Sequence, residues 1–186
     1  MSKSNIKTEI LDTPRLHIRI ESGEEYVHAF HTLGDEALKV HFGFSDEQLQ
    51  VEKGKVAGGL TTYRTALVYM HLIEKGNNNV VGSFAYHNWF PMHRRSEIGY
   101  AMKREEYKNK GYMKEALPLI IAFGFEAMNL NRMEAYISPG NAPSRKLVER
   151  AGFQREGLLQ EHYCYDNVIT DSIVYALLLR NYKPIL

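Results

Sequence analysis

Cysteine is nearly absent. The 186 residues hold one, Cys164, so no disulfide can close within the chain and a disulfide-stapled scaffold is excluded. Cys164 also lacks a recognisable basic partner in the sequence and reads as a strand residue rather than a nucleophile. No run approaches the roughly 20 apolar residues of a membrane span. The opening MSKSNIKTEILDTPRL lacks the apolar core of a signal peptide, so a cytoplasmic setting is expected, in keeping with the lone thiol. Charge of one sign is missing as well: 23 Lys and Arg against 22 Asp and Glu leave a formal +1. That balance argues against a dedicated nucleic-acid or membrane-surface binder and leaves small molecules, or one local patch on a partner. The eight histidines show no tight His-x-x-x-His spacing with an accompanying acid, so no metal is expected. Neither Gly-x-Gly-x-x-Gly nor Gly-x-x-x-x-Gly-Lys-Ser/Thr occurs, which speaks against a dinucleotide or P-loop fold, and no nucleophile elbow marks a serine hydrolase.

What is present is an ordinary globular composition, 44% hydrophobic and 24% charged, with no repeat, low-complexity tract or linker. One α/β domain over residues 1–186 is expected, with residues 1–12 loosely held. Arg15 to Ile20 alternates with period two and reads as a strand; Ser22 and Glu25 form a capping box opening a helix toward Gly34. A second helical region from Ser45 to about Ala66 contains Gly54, Gly58 and Gly59, so it is expected to be broken. The apolar, aromatic stretch Val40 to Phe44 is read as cover for a pocket rather than core. Ala66–Glu74 and Val80–Phe90 flank Lys75-Gly-Asn-Asn-Asn79 as a hairpin, and the turn Pro91–Arg94 leads to a third antiparallel strand from Glu97. Met113, Ala116, Leu117, Ile120, Gly124, Ala127 and Met128 recur at helical spacing, with Pro118 inside expected to bend the helix. Arg132–Ser138 is the next strand, reached by a right-handed parallel crossover. Asn141 caps a helix ended by Gly152, and Phe153–Tyr165 and Val168–Leu179 are two final strands joined near Asp166-Asn167.

The chemistry concentrates between Glu97 and Glu115. In the strand Glu97–Met102, the set Glu97, Gly99 and Ala101 pairs one carboxylate with two residues of almost no side chain, leaving room for a ligand against the backbone. The basic turn Lys108-Asn109-Lys110-Gly111 follows and a helix begins at once. Helix N-terminal N–H groups without intrahelical partners attract anions, so this is a seat for a phosphorylated ligand.

Together these motifs resemble the GNAT family of acyl-CoA-dependent N-acetyltransferases, and most of all the branch whose enzymes acetylate ribosomal-protein N-termini. That branch's Thr-x-Arg-Leu opening stands at Thr13, Arg15 and Leu16, and its Glu-Ile-Gly-Tyr strand at 97–100. Its Asn-x-x-Ser followed by Gly-Phe stands at Asn141, Ser144, Gly152 and Phe153. The family's Gln/Arg-x-x-Gly-x-Gly/Ala signature falls on Lys108 to Met113; Lys108 and Met113 depart from it.

The resemblance implies a mixed, mostly antiparallel splayed sheet of about seven strands with helices on both faces. It also implies acetyl-CoA as co-substrate, without a metal. Ala101, Met102, Lys108, Asn109, Lys110, Gly111, Tyr112, Met113, Asn141 and Ser144 would hold that co-substrate, and Gly99 would be small to let pantetheine or substrate approach. Glu97, fourteen residues before Gly111, matches the spacing of the family's general base; Glu161 is the second candidate for that role, and Arg15, Arg94 or Arg95 could instead merely pair with Glu97. Ser144 would protonate the leaving thiolate, because the position where much of the superfamily has a tyrosine is Val148. His87, Trp89, His93, His162, Tyr163 and Tyr165 are candidates to line the acceptor pocket. The acceptor expected is an amine: a protein N-terminus, a polyamine or an amine-bearing antibiotic. No nucleic acid or membrane is expected to bind directly, and oligomeric state stays open, a homodimer included. A non-catalytic acyl-CoA-binding module is the alternative.

Overall fold

Pro14 separates the first two strands. β1 (Glu9–Asp12) and β2 (Leu16–Ser22) pair antiparallel, with Leu11 opposite Ile18. The computed structural model describes residues 9–58 and 67–184. Residues 9–12, expected to be loosely held, therefore form a strand. That additional strand brings the expected sheet of about seven strands to eight, paired along β2 from Glu9 opposite Ile20 to Asp12 opposite His17.

Helix α1 (Gly23–Thr32) starts as read from the sequence, with Ser22 and Glu25 exchanging side-chain and backbone bonds in a capping box. Helix α2 (Asp35–Phe42) carries no sequence signal of comparable strength, because its N-cap is Gly34 and no side chain caps it. Its last residue corrects the reading of Val40–Phe44 as pocket cover: Phe42 is fully buried, Phe44 packs beside it, and only Val40 is exposed. Helix α3 (Asp46–Ala57) opens on a second capping box, Ser45 with Gln48, and runs unbroken through Gly54. A side chain at Gly54 would meet nothing, so the missing Cβ costs propensity but no packing. The rest of the expected helix, from Gly59, lies outside the described residues.

Strands β3 (Val68–Glu74) and β4 (Val80–Phe90) form the expected antiparallel hairpin, and β5 (Arg95–Met102) follows. Helix α4 (Tyr112–Glu126) is one continuous helix despite Pro118. It leads to β6 (Arg132–Ile137), which pairs parallel with β5. Helix α5 (Ala142–Arg150) precedes β7 (Gln154–Tyr165) and β8 (Val168–Leu178), an antiparallel hairpin turned by Asp166 and Asn167. Both turn residues have positive φ, 49° and 62°, the backbone of a type I′ hairpin. The strand order is β1-β2-β3-β4-β5-β6-β8-β7, a mostly antiparallel open sheet.

The chain groups into two compact units: the first runs to Trp89 and adds Gly99–Ala116, and the second takes Phe90–Ile98 and the chain from Leu117 on. In the first, Tyr26, Leu38, Phe42 and Leu49 from three helices pack with Phe30, Phe44 and Tyr69. Tyr26 stacks on Tyr69 at 4.2 Å between ring centroids. Each such ring, fully buried, contributes on the order of 2 kcal/mol. In the second unit, β6 pairs antiparallel with β8 while Val148 of α5, Phe153 and Tyr175 are buried.

Candidate active site

The turn before α4 is built from two left-handed positions. Asn109 has φ 60° and Gly111 has φ 81°, and the first helical bond runs from the Glu115 amide to the Gly111 carbonyl. Asparagine and glycine are the residues that take this backbone at least cost. Tyr112 and Met113 are buried, so at this turn they offer backbone amides and not side chains. The Tyr112 hydroxyl donates to Glu74, which raises the phenol above its ordinary value. Lys108 and Lys110 are exposed. The Lys108 ammonium bonds Glu105, while that of Lys110 lies 5.7 Å from the Tyr107 ring centre.

An arginine absent from the expected cofactor set also stands at this turn. Arg15 Nη1 donates to the Lys110 carbonyl at 3.1 Å, and its guanidinium lies 4.8 Å over the Tyr112 ring. Arg15 is held by Glu115, whose carboxylate accepts from Arg15 Nε at 2.6 Å, from the Arg15 amide at 2.8 Å and from Thr13 Oγ1 at 2.6 Å. Burial works against the charged form of Glu115, and these hydrogen bonds and the Arg15 charge outweigh it, holding the carboxyl below its usual range. The Thr-x-Arg-Leu motif thereby has a physical reason: Thr13 and Arg15 fasten the start of α4 to the start of β2. Arg15 is thus a partner of Glu115.

Further back on β5, Glu97 is 5% exposed. The β5–β6 ladder has three register pairs and ends at Glu97 opposite Glu134. Glu134, also buried, accepts from Arg95 Nη1 at 3.0 Å and from Arg132 Nε at 2.6 Å. Arg132 continues as a two-bond fork onto Glu156. The Tyr136 hydroxyl lies 3.4 Å from Glu134, and burial, then the charges of Glu134 and Glu97, push the phenol up. Glu134 and Tyr136 escaped the sequence reading; the alternation of β6 was the only signal, and it does not say which polar residue opposes Glu97.

The expected reason for Gly99 needs correction. A Cβ there would come within 2.8 Å of His87 Nε2, so Gly99 is small because a buried imidazole from β4 occupies the space. Ala101 is exposed near the end of β5, and Met102 is half-buried. In the second unit Asn141 caps α5 as expected, accepting from the Ser144 amide at 3.2 Å, and Ser144 is half-buried in the first turn. Val148 is fully buried. Glu161 sits exposed on a β-bulge with φ 51°, its amide donating to Asp171 at 2.8 Å. Among the aromatic candidates, His87 and Trp89 are buried and His93 is exposed. The His162 ring meets Tyr136 edge-on at 5.1 Å and Tyr163 at 4.3 Å. The side chain of Tyr165 lies outside the described residues. Among the described residues no helix is long and apolar enough to cross a membrane, and no cluster of three or more acidic, His or Cys side chains could hold a metal ion.

The turn fits the polyanionic end of an acyl-CoA. A left-handed Gly111 opens the backbone beside the first amides of a 15-residue helix, and only Arg15 Nη2, at 3.6 Å, stands near where a Gly111 Cβ would be.

Comparison with known proteins agrees with this geometry. The family described as "Acetyltransferase (GNAT) domain" matches residues 11–154. The uncharacterized N-acetyltransferase p20 of Bacillus licheniformis is 36% identical over 111 residues, 60% of this chain and 62% of p20. The ribosomal protein uS5-alanine N-acetyltransferase of Escherichia coli is 29% identical over 87 residues, 47% of this chain and 44% of that enzyme. These alignments span less than two thirds of either relative. The crystal structure of a GNAT-family acetyltransferase from Bacillus anthracis is 26% identical and superimposes with a TM-score of 0.63 over 91% of this chain and 98% of that one. A family match across residues 11–154, on a fold shared with a solved GNAT-family acetyltransferase, settles the assignment: the chain belongs to the GNAT family of acetyltransferases, whose co-substrate is acetyl-CoA.

Proposed function

We propose that the chain transfers an acetyl group from acetyl-CoA to a primary amine by direct attack in a ternary complex, and that the amine is a protein N-terminus. The observation that carries the reading is the buried Glu97, a carboxylate in the strand that runs on to the Gly111 turn. Glu134 beside it is committed to Arg95 and Arg132, and the reading gives the proton-accepting role to Glu97. Acetyl-CoA supplies the activated acyl group as a thioester. The α4 amides, Arg15, Lys108 and Lys110 hold the phosphates, while the backbone of Ala101 and Met102 orients the acyl arm and polarises its carbonyl. Glu97, directly or through a water, removes the proton from the attacking amine. Ser144, fixed by the Asn141 cap, returns a proton to the leaving thiolate. Glu161, exposed on its bulge, is the less favoured base. The uS5-alanine relative supports the choice of a protein N-terminus, and the same reading takes residues 1–186 as a single N-acetyltransferase domain acting in the cytoplasm.

The test is thiol release from acetyl-CoA with a panel of Ser- and Ala-starting peptides, polyamines and aminoglycosides. Turnover with peptides and silence with the small amines is expected; silence across the panel with measurable acetyl-CoA binding would leave only a binding module.

A further inference from the structure

Lys103 follows the last residue of β5, and its amide donates to the Val81 carbonyl at 2.9 Å, which fixes where the side chain leaves the sheet. The side chain turns inward instead of into solvent. Its ammonium sits 4.5 Å from the centre of the Phe44 ring, at the margin of the aromatic cluster formed with Phe30 and Phe42. The residue is half-buried.

Five other lysines answer a carboxylate, while Lys110 lies over the Tyr107 ring. Lys39 holds Glu36 and Asp46, Lys53 holds Asp35, Lys55 holds Glu52, Lys75 holds Asp12, and Lys108 holds Glu105. Among the described residues no carboxylate stands within ion-pair reach of Lys103. One titratable group acts on it, Glu52 on α3, already engaged by Tyr26 and Lys55, and its own charge bears on the buried His71 of β3. An ammonium taken from water without a counter-ion favours its neutral form. Burial accordingly brings Lys103 down to about 8, with the Glu52 charge only partly opposing.

We propose that Lys103 is a self-acylation site, an amine of this chain that takes an acyl group from an acyl thioester. The Nζ lone pair attacks the thioester carbonyl, the N–C bond forms, and the C–S bond breaks with its electron pair on sulfur. The amine proton passes through solvent to the thiolate, leaving a free thiol and a neutral amide. The amide is easier to bury against Phe44 than the ammonium, so the modified side chain keeps its place while the cluster loses a positive charge. The inference rests on the acetyl-CoA reading only for the donor's identity.

The experiment exposes the full chain to S-acetyl-N-acetylcysteamine, a thioester without a nucleotide, and in parallel to acetyl-CoA. Peptide mapping by mass spectrometry follows each lysine across a pH series, with peptide acetylation read in the same vessels. At pH 8 Lys103 should be acylated at least about tenfold faster than the exposed Lys146, because an ordinary lysine near pKa 10.4 is almost wholly protonated there. Its rate should level off above about 8, and Lys103→Arg should abolish the fast site. Labelling of Lys103 no faster than Lys146 with the small thioester overturns the inference, even if peptides are acetylated. Fast Lys103 labelling without peptide acetylation upholds it and overturns the catalytic reading instead.

Discussion

Glu97 and Glu134 stand directly opposite one another as Cα partners of the parallel β5–β6 ladder, and both are buried. Two carboxylates at this distance from solvent would repel unless one is neutralised, and Arg95 and Arg132 do that for Glu134. The two residues should therefore respond differently to the same substitution. Glu97→Gln should lower kcat by roughly 10²-fold or more, the range of a lost general base, with acetyl-CoA affinity within about twofold. Glu134→Gln should lower stability by about 2 kcal/mol, since two guanidinium groups lose a charged acceptor. Steady-state kinetics and urea unfolding separate the two. Equal kinetic losses for both would assign the base role to the pair.

Arg15 links the opening motif to the turn. Arg15→Ala should raise KM for acetyl-CoA about tenfold while leaving kcat within twofold, because it removes a cation and the support of the Lys110 carbonyl but nothing that acts on the acyl group. Glu115→Gln should cost about 1–2 kcal/mol through the weakened bonds to Thr13 and Arg15, with a smaller rise in KM. Isothermal titration with CoA and thermal melts would show both. An unchanged CoA affinity in Arg15→Ala would remove it from the binding turn.

Much of this frame was legible locally. Alternation placed β2, a capping box placed the start of α1, and the Asp-Asn turn placed the last hairpin. Glu97, Gly111 and Asn141 also declared themselves, since a carboxylate in a small-residue strand, a glycine before a helix and an asparagine cap are short-range patterns. What stayed hidden depended on distance or on absence of a signal. Thr13 and Glu115 lie 102 residues apart, and nothing near either predicts their hydrogen bond. Helix α2 lacks a side-chain cap, so only the packing of Leu38 and Phe42 reveals it. Glu161 reads as an ordinary strand position until its positive φ shows the bulge, because nothing local marks where β7 carries more residues than the facing stretch of β8.

Ser144 and Asn141 share one turn but should separate kinetically. Ser144→Ala should reduce kcat with peptide acceptors by tenfold or more and leave the melting temperature almost unchanged. Asn141→Ala should cost about 1 kcal/mol, the usual worth of a cap, and reduce activity indirectly by loosening Ser144. Acetyl donors that are thioesters of more acidic thiols should rescue Ser144→Ala, since such leaving groups need no proton. Absence of rescue would reassign the acid.

Gly99 and His87 should behave as a coupled pair. Gly99→Ala would place Cβ 2.8 Å from His87 Nε2, and because the imidazole is buried it cannot swing away freely. A loss of about 1–2 kcal/mol is expected. In the Gly99→Ala/His87→Ala double variant the clash is gone, so the combined loss should be smaller than the sum of the singles by about 1 kcal/mol in urea unfolding. Strict additivity would mean the strand shifts to accept the methyl.

Acid should weaken the first unit in two stages, and the order follows from the cluster around Glu21. His71 is almost fully buried, and burial, outweighing the Glu21 carboxylate 3.4 Å away, holds its imidazole at about 4. The unfolded chain then binds a proton at His71 that the folded chain refuses between about pH 6.5 and pH 4, so stability falls as pH drops through that window. At about 1.4 kcal/mol per pH unit the loss approaches 3 kcal/mol. Glu21 works at lower pH. Burial favours its neutral form, but the bond from His41, the His71 imidazole close by and the charge of Arg19 more than reverse this, putting its folded pKa well below the carboxylate range. Its contribution is therefore intact above about pH 4.3 and is lost on further acidification. His71→Gln does not titrate and should flatten the pH 6.5 to 4 limb of urea-unfolding stability while keeping the lower one. Glu21→Gln should do the reverse, at a lower overall stability because Arg19 and His41 lose their acceptor. A His71→Gln profile that still falls between pH 6.5 and 4 would locate the titrating group elsewhere.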